Sequence, residues 1–448
     1  FTRPESLYIY DDIIYVVDSV SNKLFIFDTT FVLQNTVEQF MVRDDMFTEA
    51  QIELMNTRVG TSSGKLDYSV IQSEGEAPLL LNGVSGVYRS GDMIYLADRS
   101  NAQIVIVDSE DFHVKQVVST PDDVTFENRV FRPSKIVTDA ADRMYVISDE
   151  VYEGIIEIDS SGEFNRFVGV NYVTLSLWDI FWRTISTEAQ LARSQTIIST
   201  SFTSLAIDNR GFIYATSLAT TDENSVVTND NAMIQKINPS GIDVLRRNGY
   251  SPPKGDLDYI RTGLDLQVRG PSRFSAIAVN EYGLYTAVDS KNGRLFTYDM
   301  EGNLLYISGG SGVQLNALQV PVSVQYLGEE VIVLDRQKRS IIVFQPTQIA
   351  TIINQASKYF FQGMLEESAR EWEKVVEINS NYEYAYVGIG KNLLAEGRYI
   401  EAMENFRIGF NREYYSRAFK MYRDERIKEY FAPVMTGVIV LLIGGIVL

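Results

Sequence analysis

The chain has 448 residues, of which 45% are hydrophobic, so it is long enough to bury more than one core. It carries 40 Lys and Arg residues against 59 Asp and Glu residues, a formal net charge of −19. Such an acidic surface repels nucleic-acid phosphates, and nucleic-acid binding is not expected. The sequence has no cysteine, which excludes disulfides, thiol nucleophiles and thiolate metal sites.

A strand–turn–strand phrase recurs along the first three quarters of the chain. In "MIYLADRSNAQIVIVD" (93–108), two apolar strands flank a polar turn. Five further copies occupy 13–28, 143–159, 212–238, 283–299 and 330–345. Each copy follows another short apolar strand, and in three copies a Gly turn ("SSGEF", "PSGID", "MEGNL") leads towards a fourth strand. Six units of four antiparallel strands predict an all-β six-bladed propeller over residues 1–347. Two unrelated β domains with similar hairpins are the alternative.

The recurring phrase also resembles the NHL repeat, in which a Pro-led strand precedes an "IYVAD"-type strand and an "I-x-x-F-D" strand. The resemblance covers roughly residues 3–346 and implies an NHL-like propeller. It is interrupted by long inserts at 32–81, 170–200 and 218–231.

The sixth unit lacks a fourth strand, because the chain passes from Gln345 directly into a helical pattern. A propeller usually closes by borrowing an outer strand from the other end of the chain, which leaves no blade with a bare edge. The sequence begins at Phe1 and not at Met. We therefore expect a strand upstream of Phe1 to complete the sixth blade, preceded by a removed signal peptide.

Helix-forming residues dominate from Ile352 onward, and the apolar period shifts towards 3.6. The segments 359–372 and 393–406 align with each other at a fixed offset. Three aligned pairs are 34 residues apart: Gly363 and Gly397, Leu365 and Tyr399, Trp372 and Phe406. This period resembles that of tetratricopeptide repeats, in which Gly390 and Ala402 would stand at small-residue positions and Ser368 would replace an alanine. We expect a TPR-like segment over 348–428 that docks peptides or partners; a generic pair of helical hairpins is the alternative.

The last segment, "FAPVMTGVIVLLIGGIVL" (431–448), has no charged residue. At 1.5 Å per residue it nearly spans a hydrocarbon core of about 30 Å, which predicts a transmembrane helix over 429–448. Five basic residues precede the span: Arg417, Lys420, Arg423, Arg426 and Lys428. The positive-inside tendency would place this flank in the cytoplasm, but that tendency weakens for an exported domain. We expect a single-pass anchor in the cell membrane, with the other domains outside the cytoplasm.

Residues with obvious catalytic chemistry are few. The only histidine is His113, predicted to lie on an outer edge, so multi-histidine zinc sites and a Ser–His–Asp triad are not expected. We predict no catalytic residue, metal or cofactor. The enzymatic alternative is a calcium-dependent, lactonase-like hydrolase that uses carboxylates at the channel. Its candidate residues are the turn aspartates Asp18, Asp98, Asp149, Asp289 and Asp335. Asp at such positions more often stabilises its own turn.

Aromatic residues suggest a docking element in the insert between blades three and four. Trp178, Phe181 and Trp182 recur at helical spacing and form one apolar face. They are our partner-binding candidates, because Trp is favoured at interface hot spots. The alternative is a helix that packs over the propeller edge. The insert at 32–81 carries a second predicted helix, which is another candidate docking element.

Three arginines, Arg3, Arg132 and Arg273, each precede or begin a first strand. Together with Asp18, Asp98, Asp289 and Asp335, they are our channel-mouth candidates. The arginines would meet anionic or sugar ligands there, or would pair with aspartates between blades. Direct glycan capture is a further alternative, in which some of the 26 tyrosines stack on sugar rings.

Over almost its full length, the sequence resembles a group of membrane-anchored NHL-propeller proteins of Gram-positive bacteria that carry a tetratricopeptide segment. The matching phrases are "NPSGIDVLRRNGY" (238–250), "GPSRF" (270–274), "YDMEGNLLYISGG" (298–310), "YAYVGIGKNLL" (384–394) and "NREYYSRAFKMYR" (411–423). The resemblance implies an accessory subunit beside carbohydrate ABC importer permeases and Yip-like membrane proteins, and it transfers no catalytic residue. We therefore expect a non-enzymatic scaffold that binds membrane or surface proteins and, as a further partner, an oligosaccharide.

Overall fold

The structure is a computed structural model that describes residues 1–43, 45, 47–58, 66–121, 123, 126, 130–169, 201–218, 233–245, 260–261, 268–269 and 272–447. The chain divides into two units, Phe1–Gln345 and Pro346–Leu448, and each is described by itself.

Six antiparallel sheets make up most of the first unit, and the strands follow chain order within each sheet. The first sheet contains β1 (Pro4–Tyr10), β2 (Ile13–Asp18), β3 (Lys23–Asp28) and β4 (Leu33–Val37). An insert follows, with β5 (Phe40–Arg43), α1 (Glu49–Arg58), α2 (Tyr68–Glu74) and β6 (Glu76–Leu79). The second sheet contains β7 (Val84–Ser90), β8 (Met93–Asp98), β9 (Gln103–Asp108) and β10 (Val114–Ser119).

The remaining sheets follow the same plan. The third contains β11 (Arg132–Thr138), β12 (Met144–Asp149), β13 (Ile155–Ile158) and β14 (Phe164–Val168). The fourth contains β15 (Phe202–Ile207), β16 (Ile213–Ser217) and β17 (Ile234–Ile237), and a two-residue pair follows it, β18 (Ile260–Arg261) and β19 (Val268–Arg269). The fifth contains β20 (Phe274–Val279), β21 (Tyr285–Asp289), β22 (Arg294–Tyr298) and β23 (Leu304–Gly309). The sixth contains β24 (Pro321–Leu327), β25 (Glu330–Asp335) and β26 (Ser340–Phe344).

The first strands of the six sheets form a closed ring. β1 contacts β7, β7 contacts β11, and the series continues through β15, β20 and β24 back to β1. The second strands are apolar along their length and almost wholly buried, since each sheet packs between two neighbours. The predicted six-bladed propeller is confirmed, and the alternative of two unrelated β domains is wrong.

Two of the three predicted fourth strands are present among the described residues. β14 follows "SSGEF" and β23 follows "MEGNL". After "PSGID", the described residues contain only a single bridge between Ile237 and Asp243. At this bridge, the side chain of Asp243 accepts the backbone N–H of Lys236 at 3.2 Å, and residues 246–259 lie outside the described part of the chain. The strand expected upstream of Phe1 stays a prediction.

The first and last blades pack directly on each other. Ser323 of β24 donates its hydroxyl to the backbone oxygen of Leu7 at 2.9 Å and accepts the Leu7 N–H at 3.1 Å. A buried apolar cluster joins the same two blades through Leu7, Ile14, Val16, Val322, Ile332 and Leu334. Side-chain packing and hydrogen bonds therefore hold the ring closed between its two chain ends.

The insert at 32–81 covers the outer edge of the second blade. Its predicted helix is present as α1, whose Ile52 is buried in the same cluster as Val114 of β10. β5 bridges to the edge strand at His113 through Met41. Apolar residues of the insert, Ile52 among them, therefore pack on the chain's own propeller and protect a strand edge. A docking role for this insert stays a prediction.

The second unit consists of five helices: α3 (Gln348–Phe361), α4 (Leu365–Ile378), α5 (Glu383–Ala395), α6 (Tyr399–Ile408) and α7 (Arg412–Val447). The turns of its two hairpins are equivalent at an offset of 34 residues. Gly363 and Gly397 have φ angles of +78° and +79°, a left-handed conformation that glycine adopts without strain. The backbone bond Met364 N to Tyr359 O recurs as Arg398 N to Leu393 O, at 2.9 Å in both turns. Assignment to the tetratricopeptide family stays a prediction.

The predicted transmembrane segment 429–448 belongs to the end of α7. Among the described residues, we find no helix with a stretch that is both long and apolar enough to cross a membrane. The side chains from residue 440 onward lie outside the described part, so the anchor stays a prediction.

Candidate functional site

A β-bulge recurs at the same place in all six first strands. The second residue of the bulge has no partner on the neighbouring strand: Glu5, Ser85, Ser134, Thr203, Ser275 and Val322. All six residues line one cavity of about 440 Å³. Because a bulge redirects a side chain, the six blades together surround one mouth of the central channel with four hydroxyls, a carboxylate and a valine.

The next residue of each strand forms a second ring: Ser6, Gly86, Lys135, Ser204, Ala276 and Ser323. Five of these side chains are no larger than serine, and Lys135 fills the space that they leave. Its Nζ donates to the backbone oxygens of Glu5 and Val322, at 3.4 Å and 3.5 Å. Since those oxygens belong to blades one and six, the lysine of blade three reaches across the channel.

A second cavity of about 290 Å³ lies deeper in the channel and also has Lys135 in its wall. Tyr8, Tyr88 and Tyr326 line it, and the rings of Tyr8 and Tyr88 are 4.5 Å apart. Because Lys135 lines both cavities, its side chain marks the boundary between the mouth and the tyrosine-lined interior.

Ion pairs connect neighbouring blades around the mouth. Glu5 of blade one pairs with Arg336, which follows β25 of blade six. Arg99 of blade two pairs with Asp149 of blade three. Burial lowers the pKa of Lys135 to about 8, an effect that the Glu5 carboxylate opposes and the Arg336 guanidinium reinforces. The surrounding protein therefore neutralises the positive charge of Lys135 only in part.

Four of the predicted channel-mouth residues are buried within their blades and do not lie at the mouth. Asp18, Asp98, Asp289 and Asp335 are 0% exposed, and none of them lines either cavity. Each accepts a backbone N–H from the start of its own blade's first strand or the residues just before it. Three of them also accept backbone N–H groups from the turn that follows the second strand. In these four blades, the carboxylate fixes the bulged start of the first strand, which holds the mouth in shape.

The surroundings of two of these aspartates give opposite pKa shifts. Burial raises the pKa of Asp98 to about 6, although the Asn82 N–H and the Gln103 amide, among others, act against this shift. Burial also acts to raise the pKa of Asp18, but four backbone N–H groups outweigh it and lower that pKa. The donors are those of Ser21, Arg3, Thr2 and Val20. Several backbone donors thus stabilise the charged form of Asp18.

Blade three departs from this pattern by one residue. Ser148 occupies the position of the turn aspartate, and its hydroxyl accepts the Arg132 N–H at 2.8 Å. Asp149 follows it and is free to pair with Arg99 at the mouth. The recurring phrase predicted Asp149 as one more turn aspartate, and only the strand register shows the shift.

Only one of the three predicted arginines lies at the mouth. Arg273 lines the mouth cavity and is exposed. Arg3 pairs with Glu5 at 2.9 Å and Arg132 pairs with Glu150 at 2.9 Å, and neither lines the cavity. Four residues at the mouth were not predicted from the sequence: Lys135, Arg336, Arg99 and Glu5. The sequence did contain a signal for two of them, because Glu5 is a charged residue at the bulge position and Lys135 is a charged residue just after it.

The other candidates lie elsewhere. His113 is within 3.3 Å of Glu76 and 3.2 Å of Asp111, between β6 and β10, and lines neither cavity. Across the described ranges, no group of three or more His, Asp and Glu side chains is arranged to hold a metal. Trp178, Phe181 and Trp182 lie outside the described residues, and their partner-binding role stays a prediction.

No family model and no curated protein matches the chain. Among solved structures, a catalytically inactive virginiamycin B lyase from Staphylococcus aureus is 10% identical, with a TM-score of 0.41 over 76% of this chain and 94% of that chain. Hydrazine synthase from Kuenenia stuttgartiensis is 11% identical, with a TM-score of 0.42 over 77% and 96%. The β-propeller domain of Cps50 from Myceliophteria thermophila is 9% identical, with a TM-score of 0.41 over 77% and 97%. Similarities this low carry no argument about activity.

Proposed function

We propose that the chain is a non-enzymatic scaffold, in which the propeller and the helical repeats bind partner proteins at a membrane. The observation that carries the proposal is the burial of the turn aspartates and the hydrogen bonds that they accept. Asp18, Asp98, Asp289 and Asp335 are buried and hold backbone N–H groups of their own blades. Carboxylates that a calcium-dependent hydrolase would direct into the channel thus stabilise the ring, a rigid support on which loops can vary.

The helical unit supports a docking role. Its hairpins repeat their turn geometry at 34 residues, and stacked helix pairs of this kind create extended binding surfaces. From the sequence resemblance, the proposed partners are the permeases of a carbohydrate ABC importer or other surface subunits, with an oligosaccharide as an additional partner. The proposed location is outside the cytoplasm, with residues 429–448 as the anchor in the lipid bilayer.

Purification from detergent-solubilised membranes tests this proposal. We expect importer permeases to co-purify with the full chain, as quantified by mass spectrometry. A chain with Trp178→Ala and Trp182→Ala should recover them about tenfold less, as expected for interface hot spots. Arg132→Gln, whose side chain pairs with Glu150 on the surface, is the control and should recover them normally.

Two results would overturn the scaffold proposal. The first is a wild-type chain that purifies alone and monodisperse. The second is calcium-dependent lactone hydrolysis that persists after the chain is freed of co-purifying proteins, because a scaffold has no such activity.

A further inference from the structure

The charge at the channel mouth has the opposite sign to that of the chain. The ionisable residues that line the cavity are Glu5, Asp149, Arg99, Lys135, Arg273 and Arg336. Four of them are basic and two are acidic, which gives the mouth an excess of two positive charges on a chain with a formal charge of −19. A concave site with a net charge of one sign attracts small ions of the other sign.

Three of these basic groups have donors that the described protein leaves free or weakly paired. The guanidinium of Arg273 makes no ion pair within the described part of the chain and is exposed to the cavity. The Nε of Arg336 is buried and has no hydrogen-bond partner among the described residues. The Nζ of Lys135 makes only two long bonds, of 3.4 Å and 3.5 Å, to backbone oxygens.

The hydroxyls of the bulge ring leave acceptors for a ligand. Ser85 donates to Pro133 O at 3.0 Å and Ser275 donates to Pro321 O at 2.8 Å. Each hydroxyl hydrogen is therefore occupied by a carbonyl of the next blade, and the hydroxyl oxygen keeps a lone pair that can accept from a ligand O–H. The cavity thus combines cationic donors with neutral acceptors.

We propose that the channel mouth binds a small ligand with an oxyanion group, either a carboxylate or a phosphate, held by Lys135, Arg273 and Arg336. A charge-assisted bond to an oxyanion would use the donors that lack partners and would compensate the buried ammonium. The cavity of about 440 Å³ has room for a metabolite but not for a folded partner. The acidic remainder of the chain disfavours extended polyanions, which restricts the ligand to a small one. This site is independent of the scaffold role.

Isothermal titration calorimetry on the purified full chain tests the site, with citrate and inorganic phosphate as separate probes and glucose as the neutral control. We expect saturable binding of at least one of the two anions and none of glucose. Arg273→Gln and Lys135→Met should each weaken binding by about tenfold, the usual effect of losing one charged hydrogen bond. Whichever anion binds more tightly identifies the ligand as carboxylate or phosphate.

Arg132→Gln is the matched control, because it removes the same charge from the start of another first strand, outside the cavity. Its affinity should stay within about twofold of wild type. The proposal is overturned if neither anion binds saturably, or if Arg132→Gln weakens binding as much as Arg273→Gln. Because Arg273 is exposed, that variant decides the question even if Lys135→Met does not fold, which circular dichroism would show.

Discussion

Asp98 and Asp18 occupy the same position in neighbouring blades, yet their pKa values shift in opposite directions. The two residues should therefore make stability depend on pH in opposite ways. Asp98 binds a proton in the folded chain up to about pH 6, whereas its ordinary pKa is 3.8. Between these values the folded state holds a proton that the unfolded state has released. The contribution of Asp98 to the free energy of unfolding therefore falls as pH rises from about 4 to 6.

Replacing this carboxyl should remove that dependence. Between pH 4 and 6, the free energy of unfolding should decrease in both proteins. We expect the decrease to be smaller for Asp98→Asn than for wild type, by roughly 2–3 kcal/mol. An amide at this position still accepts the Asn82 N–H, which lies 2.8 Å from Oδ1. Urea denaturation at several pH values, followed by circular dichroism, provides the measurement.

Asp18→Asn is the contrasting variant. The lowered pKa of Asp18 contributes stability that is present above its ordinary pKa and is lost as pH falls through the folded-state value. We expect Asp18→Asn to cost about 2 kcal/mol at pH 7, because an amide cannot accept all of the backbone N–H groups that the carboxylate accepts. This cost should shrink in acid. Identical pH profiles for the two variants would contradict the assignment of opposite shifts.

At the scale of single elements, the helical hairpins depend on close contact between helices. A Cβ added at Gly390 of α5 would lie 2.7 Å from Cε1 of Phe406, and Phe406 is 0% exposed on α6. The 34-residue pattern predicted a small residue here. We expect Gly390→Ala to destabilise the helical unit by about 1–3 kcal/mol, because an overpacked core must shift its backbone. Thermal unfolding followed at 222 nm reports the change.

Gly437→Ala is the matched control for this contact. It also replaces a glycine within a helix, but the added Cβ would meet nothing within 4 Å. Because it adds no contact, it should leave the unfolding of the hairpins unchanged to within about 1 kcal/mol. If Gly390→Ala proved as stable as Gly437→Ala, the close approach of α5 and α6 would be wrong.

The elements differ in how far the sequence determines them. Strand alternation, turn aspartates and the 34-residue period are local patterns, and they predict six blades and two hairpins directly. The mouth depends on strand register: Lys135 lies in the channel because the bulge shifts it relative to Pro133. The pair of Glu5 and Arg336 joins residues 331 positions apart, a distance over which no local pattern operates. This is why the sequence predicted the ring and Arg273 at its mouth, but not Lys135, Glu5, Arg99 or Arg336.

At the scale of the whole molecule, closure of the ring depends on contacts between the first and last blades. Ser323 both donates to and accepts from the backbone of Leu7. Within the described part of the chain, the equivalent Ser204 of blade four accepts the Ile277 N–H at 3.3 Å and makes no second bond of this kind. Ser323→Ala leaves two buried backbone groups unpaired. We expect it to cost about 2 kcal/mol, and Ser204→Ala about half as much. Equilibrium unfolding compares the two variants, and an equal cost would mean that this closing contact is not special.

The proposed attachment to a membrane also concerns the whole molecule, and one charged residue tests it. Ile439 lies near the middle of the predicted span 429–448 and is 50% exposed, while Ile427 precedes the span and is 54% exposed. An arginine at the centre of a bilayer-spanning helix costs about 3 kcal/mol, whereas on a solvated helix face it costs little. We therefore expect Ile439→Arg to move a large part of the full chain from the membrane fraction to the supernatant, and Ile427→Arg to leave the distribution unchanged. Quantitative immunoblotting of carbonate-washed membranes makes the measurement. If both variants fractionate like wild type, residues 429–448 do not anchor the protein.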